Sequence, residues 1–365
     1  MINAAEAPIP RRVGAAAFHP LTVAEVRPLC ADAVAIGFDV PSDLAPQYAF
    51  APGQALTLRR ILDGREERRS YSICAARGER LRVGVREVRG GLFSTWLVRD
   101  VRPGDVVEVQ PPTGTFTPGP GAGGHHVLVA AGSGITPVLS ITATLLQSPD
   151  VRVSLLYGNR TTASVMFVEE LSDLKDRYGP RLQLVHVLSR EAREIELFSG
   201  RLDPERLRRI FDLLVPLDDV AGVWLCGPFA MVSAARDLLR ELGVAPARIH
   251  VELFYVEDIA PPAQRHADEV YDGPTSAVSV TFDGRRSELV VPRDATLLSS
   301  AQRARPDLPF ACKGGVCGTC RARVTHGQVH LRRNYALEDD ELAAGFVLTC
   351  QSLPVSERVS LDYDA

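Results

Sequence analysis

Four cysteines near the C-terminus restrict the fold more than any other feature of the chain. Cys312, Cys317 and Cys320 read C-x4-C-x2-C, and Cys350 follows after a gap of 29 residues, inside the apolar run Phe346-Val347-Leu348-Thr349-Cys350. Four thiolates spaced in this way hold a 2Fe–2S cluster. The loop between the first three contains Gly314, Gly315 and Gly318. A short loop wrapped round an anionic cluster must turn its N–H groups inward, and glycine permits the backbone angles this requires. A structural zinc ion also accepts four thiolates, but zinc sites more often join two short C-x2-C knuckles. One tight trio with one distant cysteine fits iron–sulfur better, so the chain is expected to move electrons.

At 365 residues the chain exceeds one ordinary core and suggests two or three domains. Its net charge of −4 offers no basic face for nucleic acid and no polybasic patch for a membrane. Lysine occurs at Lys175 and Lys313 alone, so arginine carries the positive charge. The first twenty residues include Arg11-Arg12 and several prolines, but no apolar stretch of signal-peptide or membrane-spanning length. Outside the quartet, Cys30, Cys74 and Cys226 are scattered and form no disulfide framework. A cytoplasmic protein without nucleic-acid or membrane partners is expected.

The texture of the sequence changes along the chain. After an arm over residues 1–17, residues 18–120 read as short Val- and Leu-rich strands broken by turns at Asp63-Gly64, Arg77-Gly78 and Pro103-Gly104, which suits a small β-barrel. The glycine- and proline-rich stretch Pro118–Gly124 marks a boundary. Residues 121–255 alternate buried strands with helices, which implies an α/β domain on a mostly parallel sheet. Strands are expected at 151–157, 182–188 and 223–226, and helices from Pro137 and from Phe229 to Leu242. Residues 256–275 are acidic and proline-containing and read as a linker, reaching on the order of 25 Å. A third domain over 276–365 holds the cysteine quartet, with a hairpin at Asp283-Gly284 and a helix near 296–303.

Two motifs lie in the barrel region. Arg69-Ser70-Tyr71-Ser72 closes a strand and offers a guanidinium for a phosphate, an aromatic ring to lie on an isoalloxazine, and a hydroxyl for its reactive edge. Further on, Gly90-Gly91-Leu92-Phe93-Ser94 precedes a short helix expected from Thr95, whose first N–H groups suit a diphosphate, with Ser94 as a further donor. Each motif alone is also an ordinary strand end or turn. In this order, ahead of an α/β domain, they resemble the ferredoxin–NADP reductase family.

The resemblance implies a flavin domain followed by a nicotinamide domain. The family's glycine turn matches Gly132-Ser133-Gly134-Ile135-Thr136-Pro137, where Pro137 replaces the third glycine of a full dinucleotide fingerprint. Cys226-Gly227-Pro228 matches the second nicotinamide-side signature. Phe254 stands where an aromatic covers the flavin in related reductases, and a plain core aromatic is an equal reading. Glu252 is a candidate to orient the nicotinamide, or else a surface carboxylate. By the same resemblance Ser72, Cys226 and Glu252 are the candidate catalytic trio. Arg69, Ser70, Tyr71, Ser72, Gly91, Phe93 and Ser94 are candidates for the flavin. Gly132, Gly134, Thr136, Pro137, Cys226, Gly227 and Phe254 are the nicotinamide-side candidates. After the second α/β strand, Tyr157-Gly158-Asn159-Arg160-Thr161-Thr162 lacks the acidic residue that reads an NADH ribose. Arg160, with Thr161 and Ser164, is therefore the candidate site for the NADPH 2′-phosphate. A solvent-facing Arg160 is the alternative.

The quartet spacing is that of plant-type ferredoxins, which adds an α+β domain of β-grasp type. Over about residues 18–365 the chain resembles the reductases of multicomponent oxygenases. The stretches 157–167 and 334–345 are similar to those serving di-iron oxygenases of aerobic phenylacetate breakdown. That resemblance implies FAD, NADPH as donor, a 2Fe–2S cluster and an oxygenase component as partner. A reductase of a Rieske dioxygenase, using NADH with FMN or FAD, shares this module order. A dihydroorotate dehydrogenase electron-transfer subunit fits less well, because its fourth cysteine follows sooner. A redox-responsive binding module is the alternative outside catalysis. His125-His126 reads as a boundary pair and Glu338-Asp339-Asp340-Glu341 as an acidic helix start. From Ser276 onward, eleven basic residues balance eleven acidic ones, so strong long-range steering is not expected.

Overall fold

The computed structural model describes residues 17–62, 65–88, 90–255, 273–337 and 339–365. These fall into two compact units, one within 18–259 and one within 260–365. The arm up to residue 16, the Asp63-Gly64 turn, most of the expected linker, and Glu338 lie outside the described residues. Among those described, no helix is long and apolar enough to cross a membrane.

The first unit begins with a six-stranded antiparallel sheet: β1 (His19–Cys30), β2 (Ala33–Asp39), β3 (Ala55–Leu62), β4 (Arg65–Ser72), β5 (Arg82–Arg86) and β6 (Val106–Val109), with helix α1 (Leu92–Arg99) after β5. The strand order is β4-β3-β6-β1-β2-β5, and a bridge between Ile73 and Val83 joins its two edges into a barrel. Alternate residues such as Leu21, Ile36, Leu58, Val83 and Val109 fill the interior. Helix α1 starts at Leu92, capped by Gly91, one turn earlier than the sequence suggests. Ser94 explains the difference: its hydroxyl accepts from Val88 N–H at 3.0 Å and donates to Gly91 C=O at 3.2 Å, locking the glycine loop onto the helix.

The same unit continues as a five-stranded parallel sheet of β7 (Gly124–Ala131), β8 (Val151–Asn159), β9 (Leu182–Leu188), β10 (Val220–Pro228) and β11 (Ile249–Tyr255). Helices α2 (Ile135–Leu145), α3 (Val168–Tyr178), α4 (Pro204–Leu213) and α5 (Phe229–Glu241) connect these strands. Near-continuous Val, Leu and Ala runs mark strands covered on both faces, and two separate apolar cores lie there. His125 and His126 stand at the start of β7, next to the domain boundary; His126 is buried and accepts from Trp224 Nε1–H at 3.4 Å, while His125 bonds Ser154 at 2.9 Å.

Barrel and parallel sheet pack tightly within this unit. Arg82 reaches Glu170 at 3.3 Å and Arg27 pairs with the same carboxylate. Ser140 donates to Ala75 C=O at 2.6 Å. A Cβ at Gly84 would stand 2.4 Å from the Thr136 methyl and 2.9 Å from the Phe167 ring, so only glycine admits this approach. Phe167 is fully buried with φ at +60°, a left-handed setting that costs a bulky side chain about 1–2 kcal/mol. Burial of its ring in the seam offsets that strain.

The second unit is a mixed sheet in the order β13-β12-β18-β14-β16, with a separate β15-β17 pair. Its elements are β12 (Thr275–Phe282), β13 (Arg285–Pro292), α6 (Leu297–Ala304), β14 (Arg321–His326), β15 (Val329–Leu331), α7 (Asp339–Ala343), β16 (Phe346–Leu348), β17 (Ser352–Pro354) and β18 (Arg358–Asp362). Thr275 already pairs with Pro292, so β12 starts at the last residue of the expected linker. Thr296 caps α6 by accepting from Ser299 N–H at 3.4 Å.

Candidate functional site

Strand order points to one place in the parallel sheet. The chain runs outward from β7 through β8 to β9, then returns to β10 and β11 on the other side of β7. Ligands of open α/β sheets sit at such a switch, beyond the carboxyl ends of the strands. Gly132–Gly134 follows β7 and Cys226-Gly227 ends β10, so the two sequence signatures face each other across it. A Cβ at Gly134 would stand 2.3 Å from Cys226 C=O, and Gly132 has φ at +56°. Both glycines are thus fixed by geometry: one by close approach, the other by a left-handed turn. Thr136 and Pro137 are fully buried in the first turn of α2, and the Thr136 hydroxyl donates to Ser133 C=O at 3.0 Å.

Ser72, Cys226 and Glu252 come together from three strands. Cys226 and Glu252 are direct register partners in β10 and β11. Ser72 Oγ, at the end of β4, donates to Glu252 Oε2 at 3.4 Å, and Cys226 Sγ lies 3.9 Å from the same oxygen. Burial pushes the Glu252 carboxyl up to about 8, against the opposing pull of its Ser72 and Cys226 bonds. Burial, then the neighbouring Glu252, raises the Cys226 thiol well above its ordinary range. Both shifts favour the protonated forms. The surface-carboxylate reading of Glu252 does not survive this placement. Phe254 shares the face of Glu252 on β11 and packs, half-buried, against the core that contains Cys226.

On the barrel side, the Tyr71 and Phe93 rings lie 6.3 Å apart, tilted by 32°, beside the Gly91 loop. Arg69 is directed by Glu67 at 2.8 Å and remains partly exposed, while Ser70 bonds Thr57 at 3.2 Å. A Cβ at Gly91 would stand 2.8 Å from Ser94 Oγ, so glycine is required for the loop to close. A half-buried tyrosine, a partly exposed guanidinium and a helix start without a side-chain cap on one barrel end fit a flavin with its phosphates.

Arg86, at the end of β5, was not singled out from sequence. Its guanidinium bonds Asp32 at 3.1 Å, Cys30 Sγ at 3.3 Å and the Ser164 carbonyl, and its Nη1 would lie 3.5 Å from a Cβ on Gly132. It ties the barrel to both nucleotide-side loops. Arg160 is exposed. Thr161 and Ser164 close a reciprocal cap on each other, at 3.0 Å from Thr161 N–H to Ser164 Oγ, so their hydroxyls are engaged. The acid missing from the local sequence arrives from the loop after β9: Glu191 accepts from Thr162 N–H at 2.8 Å and from its hydroxyl at 2.7 Å. Those bonds hold the Glu191 carboxyl below its ordinary range.

The four cysteines of the second unit lie close enough to influence one another: Cys317 interacts with Cys312 and Cys320, and Cys320 with Cys350 and Cys312. Cys312 is pushed down to about 6, chiefly by the Cys317 thiol donating to it, with the N–H groups of Gly314, Val316 and Cys317 adding to this against burial. Lys313, Gly315 and Gly318 have φ of +51°, +81° and +64°, which turns the loop amides inward. Among the described residues, no three His, Cys, Asp or Glu side chains converge as ligands of a single metal ion. Four thiols, three of them on one glycine-turned loop, suit a 2Fe–2S cluster.

A barrel and a switch-point sheet sharing the Ser72–Cys226–Glu252 seam, in one chain with a four-thiol domain, define a flavoprotein oxidoreductase with its own iron–sulfur domain. Residues 20–117 match the oxidoreductase FAD-binding domain family, 128–237 the oxidoreductase NAD-binding domain family, and 280–355 the 2Fe-2S iron-sulfur cluster binding domain family. The chain is 44% identical over 354 residues to a subunit of the 1,2-phenylacetyl-CoA epoxidase of Escherichia coli K12, covering 95% of this chain and 98% of that protein. It is 33% identical over 349 residues to the ferredoxin reductase component of 3-ketosteroid-9-alpha-monooxygenase from Rhodococcus rhodochrous, covering 94% and 96%. The solved structure of phthalate dioxygenase reductase is similar with a TM-score of 0.60 at 26% identity, over 94% of this chain and 98% of that one. The chain belongs to the family of iron–sulfur flavoprotein reductases of multicomponent oxygenases. It passes electrons from a pyridine nucleotide through FAD to a 2Fe–2S cluster.

Proposed function

We propose that the chain is the NADPH-dependent reductase of a phenylacetyl-CoA epoxidase complex. The observation that carries the redox reading is the meeting of Ser72, Cys226 and Glu252 where barrel and sheet touch. The epoxidase as acceptor rests on the 44% identity over nearly the whole chain. FAD and the 2Fe–2S cluster, when bound, turn a hydride's electron pair into single electrons for the acceptor.

The remaining roles belong to the chain's own side chains. Arg69 holds a flavin phosphate, and Tyr71 lies against the ring system with Ser70 fixing its strand. Gly91, Phe93 and Ser94 shape the diphosphate loop. Gly132, Gly134, Thr136, Pro137 and Gly227 form the nicotinamide cleft, with Phe254 guarding the flavin face. Ser72 and the protonated Glu252 orient the carboxamide and keep a proton beside the transfer site, while the neutral Cys226 packs without adding charge. Arg160, joined to Arg190 through a 2.8 Å backbone bond, favours the 2′-phosphate, since Glu191, the acid that reaches this turn, has its oxygens engaged by Thr162. Cys312, Cys317, Cys320 and Cys350 hold the cluster.

An anaerobic titration watched by visible absorption, with iron analysis, tests this reading. NADPH should bleach both flavin and cluster bands at lower concentration than NADH. Added to epoxidase oxygenase subunits, the protein should support consumption of phenylacetyl-CoA. Preference for NADH, with activity toward a ring-hydroxylating dioxygenase instead, would move the assignment to the type of partner served by phthalate dioxygenase reductase.

A further inference from the structure

The 334–345 stretch has no part in the electron path described so far. Its N-terminal flank, residues 332–335, is laced to the cysteine loop by the backbone. Arg332 N–H donates to Gln351 C=O at 2.9 Å, and Tyr335 N–H donates to Gly315 C=O at 3.1 Å. Gln351 in turn donates from its side chain to Lys313 C=O at 2.8 Å. A Cβ on Gly315 would stand 3.5 Å from Arg333 C=O. Asn334 tightens the segment, donating to Leu337 C=O at 2.7 Å and accepting from Leu337 N–H at 2.8 Å. The segment is therefore part of the rim of the thiol site.

That rim is open on one side. Cys317 is exposed and Cys312 partly so, whereas Cys320 and Cys350 are buried, so the thiol site opens on the side of the 312–317 loop. Arg332 is exposed and Arg333 half-buried, and neither guanidinium has an ion pair or hydrogen bond among the described residues. Lys313, whose ammonium lies 4.5 Å from the Phe310 ring centre, adds a third positive charge in the loop itself. Of the acids on α7, Asp339 and Asp340 are exposed and Glu341 is bound to Arg321, and among the described residues none pairs with Arg332 or Arg333. A domain of zero net charge thus carries two arginines without ion-pair partners among the described residues on the rim of its thiol site.

We infer that the Arg332–Arg333 edge is the docking site for the electron-accepting protein, and that the surface it meets is acidic. This rests on the oxygenase-reductase reading. Clustered like charges at an exit site raise the encounter rate of oppositely charged partners and lose that effect as salt screens them.

The test uses the complete FAD- and cluster-loaded protein, reduced anaerobically with dithionite, so that the acceptor step is read whether or not the nucleotide assignment holds. Two inorganic probes of opposite charge serve as acceptors: tris(oxalato)cobaltate(III), a trianion, and hexaamminecobalt(III), a trication. In each, one electron leaves the cluster and reduces one Co(III) to Co(II). The anion should react faster at low salt and slow as salt rises. In R332E/R333E, cluster reoxidation by the anion should fall about fivefold or more at low salt, while the cation gains. R332Q/R333Q should fall between, which guards against a folding defect of the double reversal. As a readout independent of electron transfer, tris(oxalato)chromate(III) should shorten the cluster's EPR relaxation in the wild type and less in R332E/R333E. Equal rates for both probes in wild type and variants would overturn the inference. So would slower flavin-to-cluster transfer in the variants with unchanged acceptor rates, which would turn this edge inward.

Discussion

Ser72 and Glu252, 180 positions apart, meet at 3.4 Å where the last turn of a barrel strand touches the last strand of the parallel sheet. One residue comes from the flavin side and the other from the nucleotide side, so the bond forms only when both domains are correctly seated. Glu252→Gln keeps the size and loses the acid. Flavin reduction by NADPH in stopped flow should slow about 10- to 100-fold with full flavin absorbance retained. An unchanged rate would remove the carboxyl from the transfer step.

The same carboxyl makes stability depend on pH. Its value in the folded state, about 8, lies above the ordinary 4.5, so the fold favours the protonated form. The contribution is complete below about pH 4.5 and is lost as pH rises through about 8. The melting temperature should fall by about 3 °C or more between pH 6 and 9, and E252Q should lack that part of the decline. Parallel curves for the two proteins would sink the assignment.

Arg69 is held by Glu67 at 2.8 Å and by the Arg68 carbonyl at 2.7 Å, so its guanidinium is oriented before any phosphate arrives. Arg69→Ala should weaken flavin binding about tenfold or more, a loss typical of a charge-assisted hydrogen bond. Flavin-to-protein ratio after gel filtration, followed by titration of the flavin-free protein, gives the measure. Full occupancy in the variant would count against the role.

Gly134 offers a steric test of the cleft. An added methyl would meet Cys226 C=O at 2.3 Å, which side-chain rotation cannot relieve. Gly134→Ala should cost about 1–3 kcal/mol of stability and weaken nucleotide binding at the same time. Difference spectra of the flavin on adding NADP+ would report the affinity. Wild-type binding would mean that the turn can retreat from β10 without consequence.

What could be read along the chain were motifs whose parts are neighbours in sequence: the thiol trio, Arg69-Ser70-Tyr71-Ser72, Gly132–Pro137 and Cys226-Gly227. Their residues act through local backbone shape, which local sequence specifies. Arg86 escaped because its partners come from β1–β2, the loop after β8 and the glycine turn. Glu191 escaped for the same reason: it reaches Thr162 from the far end of another strand, 29 positions away. Its presence also shows why the missing ribose acid was an incomplete guide to nucleotide choice. The early start of α1 was hidden because Ser94, read as a ligand donor, spends its hydroxyl on the loop before it. Zero net charge in the second unit gave no hint that Arg332 and Arg333 stand on the rim of the thiol loop without ion-pair partners among the described residues.

The exposure of Cys317 has a consequence for the cell rather than for the acceptor. A rim open enough for a protein to collect one electron is open to dioxygen, which needs no docking surface and accepts single electrons as superoxide. A reductase left without its partner would keep drawing on the nucleotide pool and release oxidant. Such a chain is safest when its acceptor outnumbers it, so the open edge sets a demand on the ratio in which the two proteins are made.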